Sequence, residues 1–185
     1  SEAEELLERL DRRLRRVEET SKRTLDELKR LLEDIERKSR KSLKELEDLV
    51  RKVKDMLRRE KDRETVRRLL EEAREVLREI NERNRKLVED IRRLLEEIHR
   101  RDKELVERVR RELEKLLRDL ERKGVDEKKI RDLERRVEEA ARRLEKSNRD
   151  LAEEVERAER RLDRSNRELR RRVEKVLKEL EDTER

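Results

Sequence analysis

Ser21, His99 and Asp102 are the residues of this sequence whose types, taken together, suggest chemistry. A serine hydroxyl, an imidazole and a carboxylate form the nucleophile, base and orienting group of acyl-transfer sites. Such a site also needs an oxyanion hole and a substrate cleft. The one glycine, Gly124, lies far from all three in sequence, so no glycine turn opens the backbone beside them. A second motif, Glu96-x-x-His99, is the helical pair of carboxylate-bridged di-iron bundles. That chemistry takes two copies and further inward glutamates. The chain has a single histidine, and Glu96 falls well off the apolar stripe of its segment. No catalytic, metal-binding or cofactor-binding residue is expected. His99, beside Ile98 at the stripe's edge, is expected to be a supporting donor or acceptor.

Ser21 and Asp102 belong instead to a pattern that runs through the whole chain. A polar residue interrupts the apolar stripe at Ser21 and Ser39, at Asn84 and Asp102, and at Asn148 and Asn166. Each pair is eighteen residues apart, which is five turns of an α-helix at 3.6 residues per turn. Both members of a pair therefore share one helix face.

The elements that carry these residues follow from periodicity. In the first segment the stripe runs Leu7, Leu10, Leu14, Val17, Ser21, Leu25 and onward to Val53 and Leu57. A spacing of 3.6 rather than 3.5 predicts nearly straight helices with little supercoil. The phase breaks near Lys61 and restarts at Val66, with Asp62 as a competent N-cap. The second stripe includes Val66, Leu70, Ala73, Leu77, Ile80, Asn84, Leu87, Ile91, Leu95, Ile98, Asp102, Leu105, Val109, Leu113, Leu116 and Leu120. It stops at Lys123-Gly124-Val125-Asp126, where Gly124 suits a left-handed C′ position and Asp126 caps the next helix. Val125 and Ile130 form a hydrophobic staple there, and Ser1 with Glu4 a capping box at the start. The third stripe runs from Ile130 through Ala141, Asn148, Ala158 and Asn166 to Leu180. The spacing predicts helices over about 2–60, 63–122 and 127–182, and short connections force neighbours antiparallel.

Antiparallel pairing makes the polar positions testable. A first turn near Lys61 sets residue i opposite about 123 − i, so Ser21 meets Asp102 and Ser39 meets Asn84. A second turn near Gly124 sets j opposite about 249 − j, which brings Asp102 to Ser147-Asn148 and Asn84 to Ser165-Asn166. Two polar layers are expected. One holds Ser21, Asp102 and Asn148, with Thr20, Thr24, His99 and Ser147 alongside. The other holds Ser39, Asn84 and Asn166, with Ser42, Asn81 and Ser165 alongside. A buried polar group without a partner costs roughly 1–3 kcal/mol, so these groups should bond to one another and disfavour a slipped register.

Composition excludes several function classes. Charged residues make up 62% of the 185 and hydrophobic ones 30%, with no aromatic, Pro or Cys. Such charge would suggest disorder, but the regular Leu, Val and Ile spacing argues for long helices instead. The net charge of +6 is interleaved, as in Glu5/Arg9 and Asp11/Arg15, which reads as a solvated helix surface rather than a nucleic-acid face. Basic runs such as Arg170-Arg171-Arg172 read the same way. No apolar run is long enough for a signal peptide or a membrane span. An opening Ser1 in place of Met is expected of a processed chain.

With both layers placed, the chain resembles computationally designed helical bundles with buried hydrogen-bond networks. The resemblance rests on the 3.6 periodicity, the small alphabet without aromatics or Gln, the Gly124-Val125-Asp126 turn, and Asn and Ser, Ser1 apart, confined to the layers. Spectrin-like repeats also form three-helix bundles, but with shorter helices and a core Trp. The resemblance implies a stable scaffold, a rigid spacer, or a component of an engineered assembly or switch. The expectation is an all-α, antiparallel up-down-up three-helix bundle, coiled-coil-like, forming a single domain over 1–185. A monomer without cofactor, small-molecule, membrane or specific nucleic-acid partner is expected. Self-association or a helical partner is the alternative.

Overall fold

A computed structural model of the chain describes residues 2–60, 62–119 and 126–183. Three helices account for nearly all of them: α1 (Glu2–Arg58), α2 (Arg63–Arg118) and α3 (Glu127–Thr183). The charged surface supports helix locally through pairs one turn apart, such as Glu47–Arg51 and Asp163–Arg167.

Both internal N-termini are capped by aspartate. Asp62 Oδ1 accepts a hydrogen bond from the Glu64 amide at 3.1 Å, and its Oδ2 accepts from Thr65 Oγ1 at 2.7 Å. These bonds, the Thr65 hydroxyl foremost, hold the Asp62 carboxyl below its usual range. Asp126 Oδ1 accepts from the Lys128 amide at 3.0 Å. α2 ends at Arg118, followed by a turn at Asp119. Leu120, the Gly124 C′ position, the Val125 half of the staple and the Ser1 half of the capping box lie outside the described residues.

The first connection contains no glycine, yet it uses the conformation that glycine favours. Glu60 has φ 54°, in the left-handed region, and its amide donates to the Leu57 carbonyl at 3.2 Å. A side chain there costs roughly 1 kcal/mol because Cβ crowds the following carbonyl. Glu60→Gly should therefore raise the unfolding free energy by about 0.5–1 kcal/mol, read in guanidinium denaturation.

The packed residues form two compact units, and each helix contributes to both. The first unit comprises Ser1–Lys29 and Arg92–Glu153. Its core joins Leu7, Leu10 and Leu14 of α1 to Val109 and Leu113 of α2 and to Ile130, Leu133 and Val137 of α3. α3 runs parallel to α1, since Asp11 pairs with Arg136 and Glu18 with Arg143, both 125 residues apart. α2 runs antiparallel to both, with Arg13 on Glu112 and Arg110 on Glu138.

The second unit comprises Arg30–Ile91 and Glu154–Arg185. Its core joins Val50 and Val53 to Val66, Leu70 and Leu77, and to Val173, Val176 and Leu180. The same offset of 125 residues recurs in Glu36–Arg161 and Glu47–Arg172. Arg74 meets Glu174 across α2 and α3.

On α2 the structure corrects two expected core positions. Val88 and Val106 are buried, at 1% and 3% exposure, where the stripe predicts Leu87 and Leu105. Leu87 and Leu105 are only half-buried. Four residues turn a helix about 40° past its start and three leave it about 60° short, so after Asn84 and Asp102 the four-residue step stays nearer the core. On α3, Ala140 is buried and Ala141 sits at its edge.

Candidate functional site

Each unit carries one set of buried polar residues. In the first, Ser21 of α1 and Asp102 of α2 are both buried. Ser21 Oγ donates to Asp102 Oδ1 across the 81 residues between them. Burial pushes the Asp102 carboxyl above its usual range; the Ser21 hydrogen bond and the charges of His99 and Arg101 partly oppose this. Asn148 of α3 is half-buried. Its Nδ2 donates at 3.0 Å to the backbone carbonyl of Leu95.

In the second unit Asn84 Nδ2 donates to Ser39 Oγ at 3.1 Å. Ser39 is buried and Asn84 half-buried. Asn166 is 1% exposed and both of its polar atoms are engaged: its Nδ2 donates to the Leu77 carbonyl at 2.9 Å and its Oδ1 accepts from Arg170 Nη2 at 2.8 Å. The two sets share one plan, a serine pair joining α1 to α2 and an asparagine from α3 resting on the α2 backbone. Among the described residues, every buried side-chain nitrogen and oxygen has a partner.

The arrangement differs from two closed side-chain layers. Asn148 and Asn166 reach main-chain carbonyls rather than Asp102 or Asn84. A helical carbonyl carries two lone pairs and its intrahelical bond occupies one, so it accepts a side-chain donor as well. His99, Ser147 and Ser165 are exposed, and Asn81 is half-buried. One residue is 100° of helix, which takes His99 from the Ile98 edge to the surface. Thr24 Oγ1 turns back onto the Thr20 carbonyl of its own helix at 2.9 Å.

This geometry also bears on the chemistry of Ser21, His99 and Asp102. The serine hydroxyl donates directly to the carboxylate, and the exposed imidazole does not stand between them. The pair joins α1 to α2, and the serine proton is given to a weakly basic carboxylate rather than to the imidazole of a nucleophile–base pair. A cavity of about 160 Å³ opens beside it, bordered by Asp102, His99, Lys103, Arg110 and Glu145. Among the described residues, no three His, Asp or Glu side chains are grouped to hold a metal ion. No described helix is long and apolar enough to cross a membrane.

Three contributors were not read from the sequence. Arg170 carried a usable signal, since it stands four residues after Asn166 and one turn brings the two together. The Leu77 and Leu95 carbonyls carried none, because every residue has one.

No family model matches the chain, and no curated protein matches it. Among solved structures it is similar to a computationally designed three helix bundle. The two are 18% identical with a TM-score of 0.50, over 98% of this chain and 86% of that one. At that identity the likeness is one of fold. The chain is an all-α three-helix bundle, and its fold is that of a computationally designed three-helix bundle.

Proposed function

We propose that this chain is a designed structural scaffold, without catalytic role or natural ligand, whose buried polar pairs set the register of its helices. The observation that supports this most directly is the repeated pair: Ser21–Asp102 and Ser39–Asn84 join the same two helices eighteen residues apart. Purely apolar faces tolerate a slip of a turn or two, because leucine packs acceptably against many neighbours. A slip of seven residues, about 10 Å, would leave each of these groups buried without a partner. A single buried asparagine acts in this way in coiled coils.

The test is a variant with Ser21→Val, Asp102→Leu, Ser39→Val and Asn84→Leu. Its thermal stability should equal or exceed that of the parent, because buried polar pairs are often less stabilising than apolar ones of similar volume. Spin labels at Lys22→Cys and Lys103→Cys should give one narrow distance in the parent and a broadened or split one in the variant. A single unchanged distance in both would sink the register reading.

A second reading, an interaction module that pairs with a helical partner or with itself, is favoured by Leu31 and Val76 in the second unit and Leu94 in the first. These large apolar side chains are exposed. Singly labelled parent protein tests it in the same experiment. A dipolar signal between molecules would support the module, and its absence the monomeric scaffold.

A further inference from the structure

The two polar sets are copies of one plan that differ at one chemical point. In the second unit the α2 member is Asn84, which carries a fixed donor; in the first it is Asp102, whose donor comes and goes with a proton. The hydrogen bonds accordingly run in opposite directions. Asn84 Nδ2 donates to the Ser39 hydroxyl oxygen, whereas the Ser21 hydroxyl donates to Asp102 Oδ1.

We propose that Ser21–Asp102 is a protonation-sensitive latch between α1 and α2 in the first unit, and that Ser39–Asn84 is its pH-insensitive counterpart in the second. Protonated, the Asp102 carboxyl can donate to Ser21 Oγ and reproduce the arrangement of the second unit with no buried charge. Ionised, it becomes an acceptor only, held by the Ser21 donor, and a charge lies at a site 6% exposed. An ionised group buried with too few donors is costly, so the first unit opens more often once the proton leaves. Asp102 also lines the cavity of about 160 Å³, which gives the residue an approach from solvent.

The charged surroundings do not cancel this. On α2 the neighbouring groups are His99, Arg101, Lys103 and Arg110. His99 and Arg101 oppose the effect of burial, which remains the largest influence on the carboxyl. Arg110 is taken up by Glu138 at 2.8 Å. From α3, Glu145 borders the same cavity and adds a negative charge. From α1 the pair receives the neutral Ser21, and the nearby Glu18 is engaged by Arg143. The inference is independent of the scaffold reading, since it concerns how the pair responds to a proton and not what the chain is for.

The experiment is amide hydrogen exchange on the full chain between pH 4 and pH 7.5, corrected for the intrinsic rate, with a carboxyl ¹³C titration of Asp102. The opening constant of amides Ile98–Val106 should rise by at least about fivefold across that range, because a buried carboxyl holds its proton more tightly in the closed unit than in the open one. Amides Ile80–Val88 should change by less than twofold. Asp102→Asn should abolish the rise, and Asn84→Asp should create one in Ile80–Val88. A wild-type rise below twofold, the same rise in Asp102→Asn, or an Asp102 carboxyl titrating in the ordinary range would each overturn the proposal. Should Asn84→Asp not fold, the Asp102→Asn comparison decides alone.

Discussion

Leu70→Ala should lower the unfolding free energy by about 2–5 kcal/mol, the largest single effect expected of a conservative truncation in this chain. Leu70 is 1% exposed and belongs to the core of the second unit, with Val53, Leu77 and Val173 in the same cluster. Truncation removes three carbons from a site where neighbours on long helices cannot collapse inward. The cost thus combines lost burial with the cavity left behind. Leu31→Ala supplies the contrast. That side chain is 43% exposed and its removal leaves no cavity, so the cost should stay below about 1 kcal/mol. Paired guanidinium titrations of the two variants measure both. Equal losses would mean that the core does not carry the stability assigned to it.

Ser21→Ala should be next in size, and its cost should depend on pH. At pH 7.5 the ionised Asp102 loses a charge-assisted donor at a buried site, which costs about 1.5–3 kcal/mol. Near pH 4 a greater share of the carboxyl is protonated, and the loss falls towards that of a neutral hydrogen bond, about 1 kcal/mol. The sign follows from linkage. The folded Asp102 carboxyl is raised above its unfolded value, so the folded chain binds the proton more tightly. The stability this contributes is fully present below the unfolded value near 3.9, and it is lost as pH rises through the folded one. Removing the Ser21 donor raises the folded value further and steepens that loss. Ser39→Ala should cost about 1 kcal/mol at both pH values, because its partner Asn84 does not titrate. Denaturation of both variants at pH 4 and pH 7.5 measures the difference. A pH-independent cost for Ser21→Ala would contradict the account of Asp102 as a desolvated carboxylate.

Periodicity made the three helices legible. Val66, Leu70, Leu77 and Ile91 could be assigned to one face because 3.6 residues per turn is a property of the backbone and not of context. The pairs Ser21–Asp102 and Ser39–Asn84 were legible for a related reason, since a short connection converts sequence position into height along the bundle. What escaped the sequence depended on angles finer than a residue. Whether Leu87 or Val88 points at the core turns on a few tens of degrees, which the packing of three helices decides together. The side chains beside the stripe were ambiguous in the same way: His99, Ser147 and Ser165 lie one step from positions facing inward and ended at the surface. Nor could the sequence show Asn166 choosing the Leu77 carbonyl, because main-chain acceptors leave no trace in residue type.

The eighteen-residue spacing also limits how a chain of this kind can change in length. Eighteen residues return a helix to its starting angle, whereas an insertion of one residue swings everything beyond it by about 100°. A single insertion within α2 would turn Leu70 and Leu77, or Leu113 and Leu116, away from the faces they fill. Placed between Asn84 and Asp102, it would also separate one serine from its partner while leaving the other pair intact. Length can grow or shrink without that damage when all three helices change together by eighteen residues, whereas seven or eleven leave each face turned by about 20°. Substitution can reshape this protein one residue at a time, but insertion and deletion meet a lattice.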